Sequence, residues 1–160
     1  MSTSPTLNGP SLPPADGSAP EQLVFLLHGV GAGGNDLIGL APYFQQVLPK
    51  ALFVSPDAPF PYDMAPFGRQ WFSLQERTPE AFDSGTQLAA PILNDFIDGL
   101  IAEHGLSETQ TALIGFSQGT MMSLHVGPRR ERQIAGILGY SGALANPTKL
   151  VDDIRSYPPV

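Results

Sequence analysis

Ser117 is the residue whose neighbours best equip it for covalent chemistry. It lies in Thr111-Ala112-Leu113-Ile114-Gly115-Phe116-Ser117-Gln118-Gly119, where an apolar run ends in Gly-x-Ser-x-Gly and a helix-like segment follows. That order describes a nucleophile elbow, a tight strand-to-helix turn that lifts a serine hydroxyl clear of the surface to attack an acyl carbonyl. The turn is strained, so the residues two positions to either side must be small. Gly115 and Gly119 lack a Cβ, which lets strand and helix backbones close in on each other. The backbone N–H of Gln118 would point at the negative oxygen that forms during attack. With 17 glycines in 160 residues the pentapeptide alone is a weak signal. A glycine-rich turn carrying a surface serine is the plain alternative.

A second stretch strengthens the first. Leu23-Val24-Phe25-Leu26-Leu27 reads as a buried strand, and His28-Gly29-Val30-Gly31-Ala32-Gly33-Gly34-Asn35-Asp36 follows it. Acyl transfer at an elbow needs a second oxyanion donor from the loop after an earlier strand. Gly29 and Gly31 let that backbone approach a substrate carbonyl, and Val30 is the candidate for the second N–H. A phosphate-binding loop is the competing reading. Gly29, Gly31 and Gly34 fit G-x-G-x-x-G formally, and Asp57 near the end of the next strand could take a ribose hydroxyl. That reading leaves the elbow unexplained, and the Lys-Ser/Thr of a P-loop is absent.

These pieces, together with Phe53-Val54-Ser55-Pro56-Asp57-Ala58-Pro59 and Gly68-Arg69-Gln70-Trp71-Phe72, resemble the phospholipase/carboxylesterase group of α/β-hydrolases, which includes the acyl-protein thioesterases. The resemblance runs from about Gln22 to the last residue. It implies an α/β-hydrolase fold and hydrolysis of carboxylic esters or thioesters by a Ser-Asp-His triad. It also implies Ser117 as nucleophile, with the backbones of Val30 and Gln118 as oxyanion hole. Gly33 departs from the pattern, since relatives often carry an acidic residue there.

The rest of a triad is not evident in these residues. The expected order is Ser, then Asp or Glu, then His. After Ser117 the only histidine is His125 and the only acids are Glu131, Asp152 and Asp153. His125 lies eight residues along the same helix, about 12 Å up its axis, and it precedes every one of those acids. A packed helix histidine is the better reading. His28 belongs to the oxyanion loop, where a structural hydrogen bond is expected. His104 ends a helix before Gly105, where a cation suits the helix dipole. The expectation is that residues 21–160 form the N-terminal part of a single, longer hydrolase domain, with the triad Asp and His beyond residue 160. A naturally shortened, non-catalytic lipid- or small-molecule-binding relative is the alternative.

Strands alternating with helices must position these residues. The patterning gives strands at 22–28, 51–55, 111–115 and 134–140 and helices at 35–48, 78–104, 117–128 and 148–155. The strands are near-continuous apolar runs, so the fold class is α/β, a mostly parallel sheet with helices on both faces and the last strands and helices lacking. Pro91 should kink or split the helix at 78–104, whose apolar period is Leu88, Ile92, Phe96 and Leu100. Residues 1–20 are rich in Pro, Ser and Gly and read as a loose arm, and the resemblance implies that such an arm can lie against the sheet. The loop at 56–77 holds several aromatics among four prolines. Met64, Phe67, Trp71 and Phe72 are its candidates for an apolar wall beside an acyl chain. Their alternative role is to plug the core rim, and Trp71 and Phe72 lean that way.

Composition narrows the function classes. Eight basic residues against 15 acidic ones give a formal charge of −7, which disfavours nucleic acid as a partner. The Arg129-Arg130-Glu131-Arg132 cluster reads as a solvated helix end. The absence of cysteine excludes a thiolate nucleophile and a disulfide framework, and fits a cytoplasmic setting. No signal peptide and no transmembrane run is evident. No metal cluster and no cofactor motif stands out, so neither is expected. The expected partner is a small-molecule or lipid-like acyl ester, and a homodimer is left open.

Overall fold

Alternation of apolar runs with amphipathic segments produces a layered sheet. The structure is a computed structural model and describes residues 6–160. Strands are β1 (Ser11–Leu12), β2 (Gln22–Leu27), β3 (Ala51–Val54), β4 (Phe60–Pro61), β5 (Arg69–Gln70), β6 (Thr111–Phe116) and β7 (Gly136–Tyr140). Helices are α1 (Gly34–Ile38), α2 (Ala41–Gln45), α3 (Pro79–His104), α4 (Gln118–Val126) and α5 (Pro147–Asp153). Five strands share one sheet in the order β1-β3-β2-β6-β7; β1 is antiparallel to β3 and the other pairs are parallel. β4 and β5 form a separate antiparallel ribbon inside the loop at 56–77.

Because side chains alternate across a strand, the central strands feed two cores. Leu23, Phe25, Leu27, Leu113 and Ile137 pack with Leu93 and Ile97 of α3 and Met122 and Val126 of α4. Val24, Leu26, Phe53 and Ile114 pack on the other face with Leu37, Ile38, Phe44 and Leu48. This second face runs on past Ile114 to Phe116, Leu138 and Tyr140, which share its side of the sheet by register. There the cover stops, and these three are 46, 48 and 53% exposed. β7 is an edge strand, as β1 is on the opposite side. On its outer side the Ile137 N–H donates to the Pro159 carbonyl at 2.8 Å.

Three expectations are corrected. The arm is not loose over residues 6–20: Leu7 is 4% exposed in the core, and β1 pairs with Val54 and Phe53. Residues 1–5 lie outside the described part. The helix expected at 35–48 is two short ones, because Gly39 and Leu40 interrupt it and Pro42 suits the first turn of α2. The helix at 79–104 passes through Pro91 without splitting. Its buried stripe is Ala89, Leu93 and Ile97, with Leu88 outward at 61% exposure. Burial of that stripe outweighs the backbone hydrogen bond that Pro91 forfeits. The helix is well ended: the Thr78 hydroxyl accepts the Ala81 N–H at 3.1 Å, and Gly105 closes it at φ 64°. No described helix is long and apolar enough to cross a membrane.

Pro91 is solvent-exposed, so its replacement removes little packing. Pro91→Ala in the full-length protein should raise stability by about 1–3 kcal/mol in a urea melt. An unchanged or lower midpoint would mean that the ring holds a needed bend in α3.

Candidate active site

The turn at Ser117 follows from what cannot fit around it. Ser117 sits between β6 and α4 at φ 53°, ψ −115°. Positive φ is costly for a residue with a side chain, and such strain persists only where surrounding structure imposes it. A Cβ on Gly115 would stand 2.5 Å from the Thr120 nitrogen. A Cβ on Gly119 would run into the Leu27 and His28 carbonyls. Strand β6, helix α4 and the end of β2 therefore meet without side chains between them. The Ser117 N–H donates to the Tyr140 carbonyl at 2.9 Å, and the Met121 N–H donates to the Ser117 carbonyl at 3.2 Å. The Thr120 hydroxyl donates to that same Tyr140 carbonyl at 2.8 Å and accepts the Tyr140 N–H at 3.0 Å. Ser117 is half-buried, and its hydroxyl has no hydrogen-bond partner among the described residues.

The glycine loop lies beside this serine. A Cβ on Gly29 would come within 3.3 Å of the Ser117 Cβ, so the two backbones are neighbours. The loop is pinned from below. Gly31, at φ 80°, donates its N–H to the Arg69 carbonyl at 2.7 Å, and the Arg69 N–H returns to the Ala32 carbonyl at 2.8 Å. The Arg69 guanidinium donates to the Ala58 and Pro59 carbonyls at 2.8 and 2.7 Å. Asp57 Oδ1 accepts the Gly34 N–H at 2.8 Å, so this carboxylate anchors the loop rather than waiting for a ribose. The backbone N–H groups of Val30 and Gln118 have no acceptor among the described residues.

None of the histidines is placed as a partner for Ser117. The buried His28 ring is saturated: its Nε2 accepts the Ala58 N–H at 2.9 Å, so Nδ1 carries the proton and donates to the Gly29 carbonyl at 2.7 Å. Burial holds its pKa below the usual histidine value. His125 is 5% exposed on α4, and burial, helped by the Arg129 charge, pushes its pKa down to about 4. His104 closes the last turn of α3.

Of the four loop residues expected to face an acyl chain, Trp71 and Phe72 are core, at 0 and 2% exposure. Trp71 Nε1 donates to the His28 carbonyl at 2.9 Å, and Phe72 fills the space where a Cβ on Gly85 of α3 would go. Met64 and Phe67 stay outside, at 73 and 75%. Met64 lines a hollow of about 420 Å³ with Val30, Tyr62, Gln70, Leu74 and Arg77 among its other walls. Sequence reasoning missed the Gln118 side chain. Its Oε1 accepts the Trp71 N–H at 2.8 Å and its Nε2 donates to the Phe72 carbonyl at 2.8 Å, with 1% exposure. The only available signal was that Gln118 adjoins the elbow; its partners lie about 46 residues away.

Residues 14–158 match the family model described as Phospholipase/Carboxylesterase. The chain belongs to that family. The crystal structure of esterase PE8 superposes with a TM-score of 0.92 at 41% identity, covering 97% of this chain and 73% of that one. Esterase YpfH of Escherichia coli (strain K12) is 30% identical over 126 residues, 79% of this chain and 54% of YpfH. Acyl-protein thioesterase 1 of Emericella nidulans is 27% identical over 154 residues, 85% of this chain and 61% of the thioesterase. The chain thus spans 54 to 61% of the length of these two curated relatives. It is a member of an esterase and thioesterase family with the α/β-hydrolase fold.

Two measurements probe how this family member supports its elbow. Gln118→Leu would leave the Trp71 N–H and the Phe72 carbonyl buried without partners, so the full-length protein should lose about 2–4 kcal/mol in a urea melt. Loss under about 0.5 kcal/mol would show that water replaces the amide. The second measurement is pH dependence. His125 titrates near 4 folded against 6.5 in an unfolded chain, so the unfolded chain takes up a proton that the fold excludes. Stability should be whole above pH 6.5 and fall by about 3 kcal/mol as pH drops toward 4. His28, also depressed, adds to the same trend. A His125→Gln variant with an equally steep pH profile would remove His125 as its source.

Proposed function

We propose that this protein hydrolyses carboxylic esters or thioesters through an acyl-enzyme, with Ser117 as nucleophile. The observation that carries this reading is the Ser117 backbone at φ 53°, imposed at a strand-to-helix junction and flanked by the Gly29 loop. Ser141 shares the positive φ, at 51°, but only Ser117 combines it with the strand-to-helix junction of an elbow. Ser117 Oγ attacks the acyl carbon while its proton passes to a base. The carbonyl oxygen takes the negative charge, and the N–H groups of Val30 and Gln118 are the assigned donors to it. Both are free of internal acceptors among the described residues, and Gln118 opens α4, whose dipole adds positive potential. The C–O or C–S bond then breaks, and the alcohol or thiol leaves with a proton. Water attacks the acyl-serine in the second half, the acid departs, and Ser117 regains its proton.

The base is assigned to a histidine, oriented by an aspartate, in sequence following Val160. Two observations support this: His28 and His125 are occupied in packing, and the curated relatives are longer than this chain. The non-catalytic, lipid-binding alternative has no observation in its favour. The relatives include both an esterase and a thioesterase, and both leaving groups are kept in the proposal.

The full-length protein should hydrolyse a short p-nitrophenyl ester, and Ser117→Ala should cost about 10³-fold or more in kcat/KM. Residues 1–160 expressed alone should show no activity above that variant. Equal rates for the full-length protein and its Ser117→Ala form would overturn the assignment.

A further inference from the structure

Gln70 is a buried side chain with one end committed and the other not. It lies in β5, and the residue is 3% exposed. Its Oε1 accepts the Asp63 backbone N–H at 3.1 Å. Because that partner can only donate, the amide orientation is fixed, and Nε2 occupies the opposite position. Nε2 has two hydrogens to give. One leans toward the Asp63 carboxylate, which this amide and, more strongly, the Ser73 hydroxyl hold below the usual carboxylate range. The other hydrogen has no acceptor among the described residues. Nε2 is not one of the buried orphan atoms among the described residues, which are Asp83 Oδ1 and Arg130 Nε. Gln70 lines the hollow that has Val30 as another wall, and Gly29, next to Val30, abuts Ser117.

We propose that Gln70 Nε2 donates a hydrogen bond to the substrate and selects acyl groups that carry a neutral oxygen acceptor. This rests on the reading of Ser117 as nucleophile. A donor hydrogen left without a protein partner gains most from a ligand that supplies an acceptor, and a plain alkyl chain leaves it unsatisfied. The rest of the hollow agrees with a short, partly polar acyl group. Val30, Tyr62, Met64 and Leu74 give apolar walls, while Gln75, Asp63 and Arg77 ring them with polar groups. Asp63 and Arg77 have opposite charges, so neither an anionic nor a cationic chain is favoured by both. A ketone or ether oxygen meets no such conflict.

The test uses the full-length protein and two matched ester pairs: p-nitrophenyl pentanoate against 4-oxopentanoate, and hexanoate against 5-oxohexanoate. Each kcat/KM is divided by the hydroxide-catalysed rate of the same ester, which removes the intrinsic effect of the ketone. We expect a corrected preference of about fivefold or more for the keto ester in at least one pair. It should fall to near unity in Gln70→Met. It should also fall in Gln70→Glu, which keeps an oxygen for the Asp63 N–H and replaces the donor by a charged acceptor beside the Asp63 carboxylate. Both esters of a pair are measured on the same variant, so a loss of folded protein cancels in the ratio. Hydrolysis with no keto preference, or a preference that survives both variants, overturns the Gln70 assignment alone. Hydrolysis undiminished by Ser117→Ala overturns the serine reading and this proposal with it.

Discussion

Three backbones cross at the elbow with no room for a Cβ among them, and this constraint organises the remainder of the site. Gly119 rests on the carbonyls at the end of β2, and Gly115 on the first turn of α4. The crossing forces the chain from strand to helix within one residue, and that residue is Ser117. The same crossing brings the loop after β2 against the serine, because β2 and β6 are adjacent parallel strands whose ends lie level. The site is thus a property of the sheet's topology: neighbouring parallel strands deliver their following loops to the same edge.

Around that crossing, the buried polar groups are joined into one network. Trp71 donates from its ring to the His28 carbonyl and from its backbone to Gln118. Gln118 returns a donor to Phe72, and His28 links the Gly29 carbonyl to the Ala58 N–H. Removing any single member leaves another buried and unpaired, so the ensemble is stiffer than its separate bonds suggest. This explains why the aromatics at 71 and 72 serve the core. Their role is to carry the loop at 56–77 up to the elbow, and the more exposed residues of that loop then border the hollow.

Strand and helix positions were legible because apolar runs and periodicity report burial directly. The central strands and α4 lie within two residues of where the patterning placed them. The misses are cases where a local signal met a distant partner. Pro and Ser in the arm suggested a loose segment, yet the edge of β3 offered hydrogen bonds to Ser11 and Leu12. Pro91 suggested a break, but Leu93 and Ile97 bury on either side of the next turn. At the site, Ser117 and the glycine loop were legible because their chemistry demands special backbone. The Gln118 and Gln70 amides were not, since glutamine has no characteristic pattern and their partners are fixed only by the folded loop.

Ser117 is tied by its N–H to the carbonyl of Tyr140, the last residue of β7. β7 borders only one strand of the sheet and exposes half of Leu138 and Tyr140. A hydroxyl held in a strained turn is therefore tied to an edge strand of the sheet. Whatever docks along that margin, whether further chain or a second molecule, would act as a mechanical brace. Its effect would reach the serine through the Tyr140 carbonyl.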